Sequence, residues 1–400
     1  MRRLPLASVF VFLWLAERSH CTGSFQDSMR ELHNRFAVSL YQTLTEAENR
    51  SNLIASPASV SLSLALLQLG ARGNTRAQLE GTLGYNVNGV GLALAAHFAQ
   101  TQVTVKSKTD KHLSCLNAIK EKRNLLIKLL SCQHRQTSQL FGQGPKLFCF
   151  VLFRWVGVSP VRKQQRGDVR LRRSPGRSPL PQVALVNTVA FRGVWQKQFM
   201  FGNTQNLPFV LTDGSAVKVP MMYQAGEVSF GQFRTSSDQR YTVLELPYLG
   251  RALSLQVVLP SDRKSPLSSL ESQLTARQLA SWESGLRRTK MDIFLPRFRM
   301  QNKFSLRSVL PALGVSDAFN PTAADFTGIS AEEGLYVSDA VHEVRIEVAE
   351  DGTKAAAATA MVLLKRSRAP VFKADRPFLF LLRQVNTAGS ILFMGRIMNP

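Results

Sequence analysis

The residues whose types and spacing could do chemistry lie near the C-terminus: Glu350-Asp351-Gly352-Thr353-Lys354, then Ala355 to Ala358, Thr359 and Ala360, and then Lys365-Arg366-Ser367. They set a small-residue, flexible hinge ahead of a basic bond of the kind a trypsin-like protease cuts. Arg366 offers a planar, permanently charged guanidinium to an acidic pocket, and Lys365 and Arg368 add charge on either side of it. Two conformations are open to the hinge. Four consecutive alanines favour a helix, because Ala loses no side-chain entropy there. The β-branched and apolar run Met361-Val362-Leu363-Leu364, closed by Lys365, Arg366 and Arg368 before Pro370, favours a loop with strand potential, which is the better reading.

Catalysis finds little support elsewhere. The chain has no phosphate-cradling glycine loop, no zinc signature and no Gly-x-Ser-x-Gly nucleophile elbow, so it is not expected to be an enzyme or to need a metal. His342 beside Glu343 suggests acid–base work at first sight, but a lone histidine in an alternating strand fits a packing or hydrogen-bonding role better.

The N-terminus sets the compartment. Residues 1–21 run from Met1-Arg2-Arg3 through a mostly apolar stretch, Leu4 to Leu15, to small or polar residues around Ser19 to Gly23, the pattern of a secretory signal. No later run reaches the length of a membrane span, so the mature chain is expected outside the cell. Removing Cys21 with the signal leaves Cys115, Cys132 and Cys149, an odd number in the mature chain. Asn49-Arg50-Ser51 has the form of an N-glycosylation acceptor.

The net charge of +23 is unevenly placed, for residues 101–180 hold 17 Lys or Arg against 3 acidic residues. Within that window Arg162, Lys163, Arg166, Arg170, Arg172, Arg173 and Arg177 lack a periodic apolar face and read as disordered or as a polyanion-binding tail. Leu113 to Leu130 fits a basic amphipathic helix.

Outside the window the organisation is regular. Helices are predicted over 24–48, 59–70 and from Thr75, with a further helical face at Val90, Leu94 and Phe98. Strands are predicted at Ala184–Phe191, Val217–Met222, Thr242–Leu246, Leu253–Leu259, Met291–Phe298, Val341–Val348, Phe378–Arg383 and Ile391–Arg396, with a helix near Phe304–Leu313. The fold class is α+β, a helical N-terminal part followed by large sheets.

These elements carry motifs that resemble the serpin family, in particular the clade of plasminogen activator inhibitor and nexin. The motifs include Asn52-Leu53-Ile54-Ala55-Ser56-Pro57, Leu69-Gly70-Ala71-Arg72-Gly73-Asn74-Thr75, Asn187-Thr188-Val189-Ala190-Phe191-Arg192-Gly193-Val194-Trp195, Asp375-Arg376-Pro377-Phe378 and Phe393-Met394-Gly395-Arg396. The resemblance covers 24–100 and 182–400, and implies one domain over 24–400 with a hinge and reactive loop at 350–374. It also implies a mechanism: a serine protease attacks the loop at Arg366–Ser367, and the cut loop inserts into the central sheet before the acyl-enzyme is hydrolysed. Counting back from Arg366 makes Glu350 seventeenth, Gly352 fifteenth and Thr353 fourteenth, as in inhibitory members. On insertion Thr353, Ala355, Ala357 and Thr359 would face the core, and Lys354, Ala356 and Ala358 would face out. The implied partners are a trypsin-like protease, bound covalently by a monomer, and a heparin-like glycosaminoglycan as activator.

The segment 103–180 departs from the pattern. Its helix and strands are not recognisable as family elements, and it reads like translated non-exonic or alternatively spliced sequence. Two alternatives to an inhibitor follow from it: a non-inhibitory, polyanion-binding relative, or an aberrant product that does not fold stably.

Overall fold

The computed structural model describes residues 28–48, 51–85, 146–156, 182–263, 265–329, 334–350, 369–385 and 390–400. Helix α1, over 28–47, packs Phe36, Leu40, Tyr41 and Leu44 into the core. The short strand β1 (Leu53–Ala55) leads into α2 (Pro57–Gly70). Ser56 caps α2 by accepting from the Ser59 N–H, and Pro57 opens it where no donor is needed. Most of α2 is buried, as its mainly apolar and small residues require of a helix with no solvent face. Helix α3 (Gly73–Leu83) stops at Gly84, whose φ of 79° only glycine adopts freely.

Two sheets follow. The smaller has the order β2-β3-β10-β9, formed by β2 (Lys146–Val156), β3 (Gln182–Arg192), β9 (Phe298–Ser305) and β10 (Tyr336–Val348). The larger, nine-stranded sheet has the order β1-β13-β12-β7-β6-β5-β8-β11, with β4 (Gln205–Val210) paired to β5 (Ala216–Arg234). Its other members are β6 (Arg240–Pro247), β7 (Leu253–Pro260), β8 (Arg287–Pro296), β11 (Val371–Lys373), β12 (Phe378–Gln384) and β13 (Ile391–Ile397). Strands β7, β12 and β13 are buried along their whole length, which explains their mostly apolar sequences. Helices α4 (Leu267–Ser272) and α5 (Ala276–Gly285) cover part of this sheet, α5 opened by a reciprocal Thr275–Gln278 capping box. Short α6 (Leu306–Val309) sits where a helix is predicted.

Three sequence expectations are corrected. The predicted strand Met291–Phe298 is two strands in different sheets, β8 and β9, divided at Pro296-Arg297. Pro296 supplies no ladder donor, and the Arg297 N–H bonds Pro220 O at 2.9 Å, holding the corner. The predicted strand Val217–Met222 continues to Arg234, because one long strand serves β4, β8 and β6 in turn. The third correction falls inside 103–180, where no strand was recognisable. Lys146–Val156 forms β2 and pairs antiparallel with β3 from Lys146↔Arg192 to Val156↔Gln182. Its sequence, Leu147-Phe148-Cys149-Phe150-Val151-Leu152-Phe153, is an unbroken apolar run suited to a strand covered on both faces. The charge of the surrounding window masks that signal. β3 is therefore flanked on both sides, not left as a bare edge.

The helical face at Val90, Leu94 and Phe98 and the amphipathic stretch Leu113 to Leu130 lie outside the described residues. Among the described residues no helix is long and apolar enough to cross a membrane.

Candidate reactive-loop site

The segment predicted to be reactive joins β10 to β11, and the two strands belong to different sheets. Alternation along β10 buries Ala340, His342, Val344, Ile346 and Val348, and leaves Val341, Glu343, Arg345 and Glu347 on the outer face. A bulge between Val337 and Asp339 resets the alternation at the start of the strand.

The upper end of β10 is held by groups far away in sequence. Trp195 Nε1 donates to Ala349 O at 2.8 Å, and the Trp195 ring stacks on Tyr248 at 4.3 Å. Gly193 makes room for that stack, since a Cβ there would run into the Tyr248 ring. Glu350, the first residue of the predicted hinge, is fully buried. Thr204 Oγ1 donates to its Oε1 at 2.8 Å, and Arg297 Nη1 lies 3.6 Å from the same oxygen. The lower end of the loop is equally fixed. β11 pairs in parallel with β8, the Asp292 N–H bonds Pro370 O at 3.0 Å, and buried Asp375 is held by Arg263 at 2.9 Å and Arg376 at 3.0 Å.

Below these anchors lies the seam between β3 and β10. The two strands run parallel, in register from Tyr336↔Gln182 to Glu347↔Arg192. Every other pair in this sheet is antiparallel. Under the seam a buried polar node joins both strands to α2: the Ser56 N–H donates to His342 Nε2 at 3.0 Å, Ser59 Oγ donates to Asn187 Oδ1, and Asn187 Nδ2 donates to Ser63 Oγ at 2.9 Å. Asn187 and His342 are register partners across the seam.

Burial pushes the His342 imidazole down to about 3, so it is neutral at physiological pH and accepts from Ser56. The unfolded chain binds that proton near 6.5, so between about pH 6.5 and 3 the unfolded state holds more protons and stability falls as pH falls. The expected slope from this residue is about 1.4 kcal/mol per pH unit. Denaturant titrations of the parent and of His342→Gln between pH 7 and 4 should show a shallower pH dependence in the variant; parallel curves would refute the assignment.

Of the residues singled out in the sequence, the structure describes Glu350 and places it at the top of the seam. Gly352, Thr353, Ala355, Ala357, Thr359, the bond Arg366–Ser367, its neighbours Lys365 and Arg368, the basic cluster at 162–177 and Asn49 lie outside the described residues. Sequence reading missed the partners that anchor the hinge, Trp195, Thr204 and Arg297, although Trp195 stood in a recognised motif. Among the described residues no group of His, Cys, Asp or Glu is placed to hold a metal.

The seam is thus a parallel pairing within an otherwise antiparallel sheet, lying over a buried polar node and ending at a firmly held Glu350. The chain belongs to the serpin (serine protease inhibitor) family, whose model matches residues 31–151 and 159–400. The match thus runs through much of the basic window. The chain is 53% identical to a probable serpin E3 of Danio rerio, over 100% of this chain and 99% of the relative. It is 33% identical to plasminogen activator inhibitor 1 of Bos taurus, over 94% of this chain and 93% of that protein. A crystal structure of native protease nexin-1 with heparin superposes with a TM-score of 0.70 at 27% identity, covering 94% of this chain and all of the other.

Proposed function

We propose that this chain is a secreted inhibitor of trypsin-like serine proteases that presents Arg366–Ser367 as bait and traps the enzyme by loop insertion. The carrying observation is the in-register parallel ladder of β3 and β10 beside a hinge that starts at buried Glu350. A strand turning back from Glu350 runs antiparallel to both neighbours. Its entry exchanges one parallel ladder for two antiparallel ones, which bond better per residue and more than double the pairing. Small residues at Thr353, Ala355, Ala357 and Thr359 suit a face that must slide over Asn187 and His342.

The chemistry belongs to the protease. Its serine Oγ adds to the Arg366 carbonyl carbon, the Arg366–Ser367 bond breaks, and the Ser367 amine leaves with a proton. The remaining ester joins the protease to Arg366. Insertion of the segment between Glu350 and Arg366 then carries the bound enzyme away before water completes hydrolysis.

Residues 1–21 act as the secretory signal, and 24–400 form one domain with the loop at 350–374. The basic cluster Arg162 to Arg177 supplies the charge for a heparin-like activator, with support from the similarity to protease nexin-1, which was crystallised with heparin.

Incubation with trypsin-like enzymes should yield a covalent, detergent-stable complex whose formation heparin accelerates in low salt. Arg366→Ala should abolish cleavage at that bond, because the guanidinium that fills the acidic pocket is gone. An unchanged dominant cut elsewhere by mass spectrometry would place the bait bond wrongly.

A further inference from the structure

The larger sheet ends in strands β5, β8 and β11, and one face of these three strands is turned outward with cations that nothing above employs. Between β5 and β8, Ser229 lies opposite Arg288 and Glu227 opposite Lys290, while Val371 of β11 lies opposite Asp292. Phe372, the next residue along β11, points the other way into the core, where its ring meets Phe230 edge-on at 6.4 Å. Arg288 and Lys290 are exposed, and Val371 stays 59% exposed beside them. Two carboxylates share this face. Asp292 accepts from the Tyr223 hydroxyl at 3.1 Å, and Glu227 stands opposite Lys290 without forming an ion pair. Among the described residues neither Arg288 nor Lys290 has an ion-pair partner. The start of β8 is therefore the cationic end of the face, with neutral Ser229 as the only cross-strand neighbour of Arg288 on β5.

Chain length sets what must come to this surface. Strands β8 and β11 run parallel, and the Asp292 N–H bonds Pro370 O at 3.0 Å, so the chain arrives at β11 along the first residues of β8. Ser367, on the leaving side of the proposed bait bond, is two residues before Ala369, where the described chain resumes. Two residues span at most about 7 Å. A standard protein interface covers about 800 Å² on each partner, a patch roughly 30 Å across. An enzyme whose cleft closes on that bond must overhang the start of β8, whatever path the loop takes.

We propose that Arg288 and Lys290, with Val371 as their apolar neighbour, form a second contact surface for the protease, matched to enzymes whose rim on the leaving-group side of the cleft is acidic. This rests on the bait-bond reading above and adds selectivity to it. Arg366 suits every trypsin-like pocket, whereas β8 sorts those enzymes by the charge of their surface. Cations on a solvent-open rim act on encounter and its salt dependence, so they leave loop insertion unchanged.

The test compares trypsin with trypsin whose surface amines have been succinylated, which turns ammonium groups into carboxylates and leaves the arginine pocket in place. Rates of covalent complex formation are taken per active site, titrated with a small arginine substrate. At low salt the parent should favour the succinylated enzyme. Arg288→Gln combined with Lys290→Gln should reduce that preference about three- to tenfold, Glu227→Gln should enlarge it, and high salt should erase both changes. Arg299→Gln combined with Lys303→Gln makes the same change of charge at exposed positions of β9, in the other sheet, and should leave the preference as it is. The share of molecules trapped should be equal in all variants. A preference that the β8 variant keeps, or that the β9 variant loses equally, overturns the docking surface. So does a β8 variant with weakened heparin retention and unaltered protease rates, because its cations then serve a polyanion. If neither enzyme cuts the parent after Arg366, the bait-bond reading fails and the docking surface with it. If both enzymes trap the parent while the β8 variant reacts as the parent does, only the docking surface fails.

Discussion

Glu350→Lys is expected to be the most damaging single change at the head of the seam. It removes a buried carboxylate that accepts from Thr204 and faces Arg297, and puts an ammonium next to that arginine. An uncompensated buried charge costs about 3–5 kcal/mol, or roughly 4–6 °C in melting temperature for a chain of this size. The variant should also lose the hinge anchor, so that an uncut seam opens more readily and accepts a strand from a second copy. Differential scanning fluorimetry and size-exclusion chromatography after mild heating measure both. Glu350→Gln, which keeps an acceptor for Thr204 without the charge, should recover most of the stability. A melting temperature for Glu350→Lys within a degree of the parent would contradict the burial of this side chain.

The second large effect is expected from Thr353→Arg. On the proposed mechanism recognition needs only the Arg366–Ser367 bond, so cleavage after Arg366 should continue. Insertion, however, would drag a guanidinium under the head of the seam, among buried Val348, Ile346 and Phe191, at a cost of several kcal/mol. Each ~1.4 kcal/mol added to the barrier slows insertion about tenfold. Hydrolysis of the acyl-enzyme then wins, and the variant becomes a substrate. Gel analysis should show cut chain with the detergent-stable complex reduced at least about tenfold; complex formation equal to the parent would show that the loop does not insert with Thr353 inward.

The parts of this molecule that were legible in its sequence are those specified locally. Alternation over Ala184–Phe191 marks β3 because it has one consistent face to bury, whereas the β-branched and apolar run Thr242–Leu246 marks β6, which buries Val243 on one face and Leu244 on the other. The small-residue stretch ahead of Arg366 lies outside the described residues, apart from Glu350 at its start. What escaped notice depends on partners. β11 is three residues long and is a strand only because β8 lies beside it. β4, with Pro208 and polar Gln205 and Asn206, carries weak strand propensity and is held by β5. β2 was hidden by the charge of its neighbours in the chain. The clamp on the hinge joins Trp195, Thr204 and Arg297 to residues 349–350, contacts that no local pattern encodes.

The parallel pairing of β3 with β10 also fixes how the protein must be counted. On the proposed mechanism a ladder that is exchanged for a better one does not return, so the seam accepts one strand and each molecule acts once. Dilution does not reverse the outcome, and potency is a matter of molecules present against molecules of protease, multiplied by the share that insert in time. An inhibitor that works in this way is replenished by fresh synthesis, in the manner of a reagent consumed in a titration.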